Sequence, residues 1–98
     1  MLKIRSIDDD GPDRRIYSVT SDGNPVGPEV LTDIARIAGR LLAENELKGT
    51  YRALESALVL DLAAAQRSFF HDGIVFAALD AVNDPVRNPT LTRLDPLG

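Results

Sequence analysis

Apolar side chains recur along residues 28–47 at spacings of three and four. Val30, Ile34, Ile37 and Leu41 form one row, and Leu31, Ala35, Ala38 and Leu42 form a parallel one. This is the pattern of an amphipathic helix with a 3.6-residue period. Tyr51, Leu54, Leu58, Leu62, Ala65 and Phe69 repeat the device. Between the two rows, Leu47-Lys48-Gly49-Thr50 supplies a short turn, with Gly49 suited to end one helix and Thr50 to cap the next. The pattern predicts a helical hairpin over residues 28–70. A third helix is expected through Ile74, Val75, Phe76, Ala77, Ala78, Leu79 and Val82, with Asp72 as its N-cap; the competing reading is one long helix kinked near Gly73. Asn83-Asp84-Pro85 ends it, because a residue before proline is pushed out of the helical region.

Upstream the period changes to two. Leu2, Ile4 and Ser6 alternate with Lys3, Arg5 and Ile7, and Ile16 and Ser18 oppose Tyr17 and Val19, as in half-buried strands. The turn formers Asp8-Asp9-Asp10-Gly11-Pro12-Asp13 separate them, and Ser21-Asp22-Gly23-Asn24-Pro25 makes a second turn. Pro28 and Glu29 fit a helix start, where proline loses no hydrogen bond and a carboxylate meets the positive end of the dipole. The expected fold is α+β: an N-terminal β-hairpin packed on a three-helix unit, with an irregular proline-containing C-terminal tail. Residues 1–87 form one domain. Residues 88–98 form an extended or disordered tail in which 90–94 has the pattern of a short edge strand.

Composition narrows the function. The 98 residues are enough for one domain, and 44% hydrophobic content suffices for a core. A net charge of −4 gives no global basic field to draw the chain to nucleic acid or an anionic membrane. The chain has no cysteine, so disulfides and thiolate chemistry are excluded. The alternating amino terminus is no signal peptide, and no run approaches the roughly 20 apolar residues that span a bilayer. A cytoplasmic location follows as the expectation. A bias to arginine over lysine, with abundant Ala and Leu, suits a GC-rich bacterial genome.

Candidate chemistry is sparse. Asp8, Asp9 and Asp10 are consecutive rather than alternating, with Asp13 three further on, and no distal Glu follows as a calcium loop requires. No metal or other cofactor is expected. His71-Asp72 is the only imidazole beside a carboxylate, yet adjacency alone does not orient a general base. Ser56, Ser68 and Thr50 lie in no nucleophile frame. Gly23, Gly27 and Gly39 are too dispersed for a phosphate cradle, and Lys48-Gly49-Thr50 has the wrong order for a P-loop.

Two binding readings remain. Residues 33–39 are similar to the first helix and turn of a helix-turn-helix, with residues 50–58 as the DNA reader and Arg36, Arg40 and Arg52 as phosphate contacts. Glu44, Glu46 and Glu55 interleave with that basic patch and argue against it. The other reading starts from Phe69, Phe70 and Phe76, the aromatic concentration of the chain. Helices this apolar bury more than one face, so a surplus is left for a partner. The function expected is therefore a small non-catalytic protein–protein interaction or regulatory module. It would be homodimeric and would bind a protein partner through Phe70, Phe76 and Leu79. A helix-turn-helix DNA-binding accessory is the alternative.

Overall fold

The computed structural model describes residues 1–62 and 69–86, Phe69 by its backbone alone. The expected tail, its strand at 90–94, and Ala65 and Ser68 lie outside the described residues. The elements run β1 (Leu2–Asp9), β2 (Arg14–Ser21), β3 (Asn24–Pro25), α1 (Pro28–Glu44), β4 (Thr50–Leu54), β5 (Ala57–Asp61) and α2 (Phe69–Asn83). They form a five-stranded antiparallel sheet of order β1-β2-β5-β4, with β3 pairing the end of β2.

The α+β class and the N-terminal strands agree with the sequence pattern, whereas the three-helix unit is overturned. The segment expected as the second helix is instead the hairpin β4–β5, so the described residues contain two helices and no helical hairpin. Leu54 and Ala57 pair across a two-residue loop whose Glu55 takes φ 55°. Tyr51 and Ala53 face the core from β4, opposite Leu60 and Leu58 of β5. Thr50 is the first residue of a strand, not a helix cap.

Local chemistry explains the remaining elements. Asp22 and Gly23 both have positive φ, the backbone a two-residue hairpin turn requires, and so return the chain from β2 to β3. Helix α1 begins with proline in its first turn and buries Leu31, Ile34, Ile37, Ala38 and Leu42. It ends in a Schellman motif. The Leu47 N–H donates to the Leu42 carbonyl at 2.9 Å and the Glu46 N–H to that of Ala43 at 3.1 Å. Glu46, at φ 55°, thus holds the left-handed position expected of Gly49. Helix α2 starts three residues before the expected cap, placing Asp72 inside its first turn, and ends at Asn83 as expected.

Both helices share one core with the inner sheet face: Tyr17 and Val19 of β2, Leu58 and Leu60 of β5, the stripe of α1, and Ile74, Val75, Ala78, Leu79 and Ala81 of α2. Helix α1 lies over β4 and β5, and α2 packs beside α1 and over β1. The other sheet face carries Ile16 paired with Val59, with Arg52 beside Val59. There Asp61 accepts from Arg52 Nε at 2.6 Å and from Arg14 Nε at 3.1 Å. These two guanidiniums, Arg52 first, hold the Asp61 carboxyl below its ordinary range.

Candidate functional site

Two features meet on α2: a polar junction beneath its first turn and an apolar face directed outward. The junction arises because β2 points Arg15 and Tyr17 toward the helices. Asp72 Oδ1 accepts the Tyr17 hydroxyl at 2.5 Å, and its Oδ2 accepts Arg15 Nη2 at 2.9 Å. Arg15 Nε lies 2.9 Å from Asp72 Oδ1 but out of line for a hydrogen bond. Arg15 Nη1 also donates to Asp9 at 3.0 Å. Burial works against the charge on Arg15, yet the facing negative groups, Asp72 first, outweigh it and raise the guanidinium above its ordinary value. The Tyr17 hydroxyl is pushed well up by burial and by its bond to Asp72. Tyr51, whose ring centre lies 6.3 Å from that of Tyr17, is raised by burial and then by the Asp72 charge.

His71 completes the junction. It is 1% exposed, and its Nε2 lies 2.9 Å from the Lys48 carbonyl. A carbonyl only accepts, so Nε2 carries the proton and donates. The His71 carbonyl in turn accepts the Tyr51 hydroxyl at 2.6 Å. The arrangement therefore pins the first turn of α2 to β2, β4 and the loop after α1. The sequence marked His71 and Asp72 as neighbours, but not Arg15 and Tyr17 as their setting. Those partners lie more than fifty residues away, and no local signal announces them.

The outward face of α2 is apolar for most of its length. Phe70, Gly73, Phe76 and Ala77 are exposed, with Asp80 the one charge among them. Phe70 is 73% exposed beside a cleft of about 440 Å³ lined by Asn45, Leu47, Gly73 and Ile74. Phe76 is 53% exposed on the side of α2 toward β1. There Leu2, Lys3, Ile4, Leu79 and Asn83 line a second groove of about 380 Å³. Of the three residues expected to meet a partner, Phe70 and Phe76 are on the surface. Leu79 is 4% exposed and belongs to the core.

The basic patch is not brought together. Arg36 and Arg40 lie on α1, with Arg36 3.7 Å from Asp33. Arg52 lies on the sheet face away from the helices and is bonded to Asp61. The proposed DNA reader at residues 50–58 is a β-hairpin, so the helix-turn-helix geometry is absent. Of the acidic residues expected in the first turn, Asp8 and Asp9 instead end β1, paired with Ile16 and Arg15. The Asp9 side chain meets Arg15 and that of Asp10 meets Arg14, and no three potential metal ligands converge among the described residues. No described helix is long and apolar enough to cross a membrane. No protein-family model, curated protein or solved structure matches the chain.

Proposed function

We propose that this protein is a small, non-catalytic interaction module of the cytoplasm that presents the outward face of α2 to another protein. The observation that carries this reading is Phe70. A large aromatic side chain stands 73% exposed at the mouth of an apolar cleft, on a helix whose first turn is anchored by five side chains. An apolar anchor on a rigid support is how binding surfaces concentrate their affinity. Gly73 leaves the neighbouring surface open, since a methyl group there would meet nothing within 4 Å. The incoming group is an apolar side chain, for which Leu47 and Ile74 line the wall.

The test replaces Phe70 with a photo-crosslinking phenylalanine analogue, expressed in the cells the protein comes from. Leu54, exposed on the opposite sheet face, is the control position. The reading requires a discrete protein adduct from position 70 that position 54 does not give. Equal or absent adducts at the two positions would overturn it.

A further inference from the structure

We propose that two copies of this chain join along their β1 strands into one continuous antiparallel sheet. The proposal goes beyond the reading of Phe70 and does not depend on it. Strand β1 is an edge whose only strand partner among the described residues is β2. The side chain of Asn83 shows which backbone groups face outward: it accepts from the Leu2 N–H at 2.8 Å and donates to the Leu2 carbonyl at 3.0 Å. Alternation then turns Ile4 outward as well. A bulge between Ile4 and Ser6 shifts the phase, because Ile4 pairs with Val19 and Ser6 with Ser18. Beyond it Ser6 and Asp8 bond inward to β2, and Ile7 faces outward.

This phase shift makes the strand complementary to itself. In an antiparallel pairing about a two-fold axis between Arg5 and Ser6, Ile4 of each copy meets Ile7 of the other. Both direct their backbone groups outward, so each such pair can exchange two hydrogen bonds. Both side chains are on the helix side, where they pack against the core. Lys3 of each copy then meets Asp8 of the other, both on the opposite side of the sheet. Lys3 and Asp8 are exposed, and neither makes an ion pair with another described residue. Edge strands are commonly guarded by scattered charge. Here the signs are segregated, positive at Lys3 and Arg5 and negative at Asp8 and Asp9, so antiparallel self-pairing sets unlike charges opposite each other. The groove beside β1 supplies the flank: Phe76 stands over it with Leu2 and Ile4, where the Ile7 side chain of the second copy would arrive. Asn83 holds the Leu2 backbone and closes the ladder at that end.

Charge exchange tests this directly. Light scattering coupled to size exclusion should show a dimer for the wild type. Lys3→Asp and Asp8→Lys alone each place like charges opposite one another twice, and each should weaken the dimer about tenfold. Mixing the two variants restores unlike pairs at both positions and should restore dimerisation, as should the double variant Lys3→Asp/Asp8→Lys. A second measurement reads the register. Lys3→Cys mixed with Asp8→Cys should give the mixed disulfide under mild oxidation, in preference to either homodisulfide, because facing residues of that type lie about 4.5 Å apart. A monomeric wild type, single variants that dimerise like it, or homodisulfides forming as readily as the mixed one would each overturn the proposal. None of these outcomes bears on the adduct at Phe70, so the two readings fail separately.

Discussion

Two glycines show how differently the same residue can be used. Gly49 sits at φ +137°, outside the range of ordinary side chains, and a methyl group there would lie 3.1 Å from Leu60 Cδ1 and 3.4 Å from the Asp61 carbonyl. It lets the chain pass close over β5 as β4 begins. Gly73 lies inside α2 with an ordinary helical backbone and open space around it. Gly49→Ala should therefore cost roughly 1–3 kcal/mol, from backbone strain and crowding together. Gly73→Ala should instead add up to about 1 kcal/mol by removing the helix penalty of glycine. Paired denaturant titrations check this, and the assignment fails if the two variants shift the midpoint in the same direction. The same pair also serves function: the stabilised Gly73→Ala protein narrows the cleft beside Phe70, so a weaker photo-adduct at normal stability would tie that cleft to binding.

At the scale of elements, the sequence was most legible where only one period fits. Helix α1 has rows spaced by three and four plus a proline in its first turn, and no strand accommodates them. The alternation of β2 was equally plain, as was that of β1 up to Ile4, but the bulge between Ile4 and Ser6 turns Ile7, expected on the side of Lys3 and Arg5, toward the core. The β4–β5 hairpin was not legible, for a physical reason. Leu58 and Leu62 are four apart, which is a helical spacing and also an even one, so each period accepts it, whereas Leu54 joins them only on a helix and in fact lies before the turn on the opposite face. The usual punctuation was missing too, because the hairpin turns at Glu55-Ser56 rather than at an Asn-Gly pair. Of the residues marked for a partner, Phe70 and Phe76 lie on the surface, while Leu79 looked equivalent in the pattern and is core. The Arg15–Asp72–Tyr17 junction joins elements distant in sequence, so only the fold reveals it.

That junction sets a pH dependence. Tyr17 and Tyr51 are both raised above the ordinary tyrosine value, so the folded state holds their protons more tightly than the unfolded chain does. Their contribution is then complete below the unfolded tyrosine value of about 10 and is lost as pH rises beyond it. Asp61 acts in the opposite sense. Its lowered value means that its contribution is present at neutral pH and fades as acid protonates it, though exposure and solvent screening keep that effect small. The expected outcome is a wide stability plateau ending in an alkaline transition above about pH 10, accompanied by tyrosinate absorbance. In Tyr17→Phe the alkaline transition should be shallower, because one of the two linked protons is gone. An unchanged alkaline limb in that variant would show that Tyr17 does not ionise on unfolding.

At the scale of the whole molecule, one core binds two helices to the inner face of a single sheet, so the layers should unfold together. Leu54 and Leu58 give the sharpest check on that architecture. Along a helix they would share one stripe and cost the same to truncate. In the hairpin they lie on opposite faces of the sheet, with Leu58 fully buried against the helices and Leu54 49% exposed on the far side. Leu58→Ala should then cost roughly 2–5 kcal/mol, a large share of the stability of a domain this size. Ile37→Ala, on the buried stripe of α1, falls in the same range. Leu54→Ala should cost no more than about 0.5 kcal/mol, as a surface substitution does. The slope of unfolding against denaturant should stay constant across the three variants, since each removes side-chain contacts from one cooperative unit. Equal losses at Leu54 and Leu58 would restore the helical stripe and remove the sheet on which both binding surfaces are built.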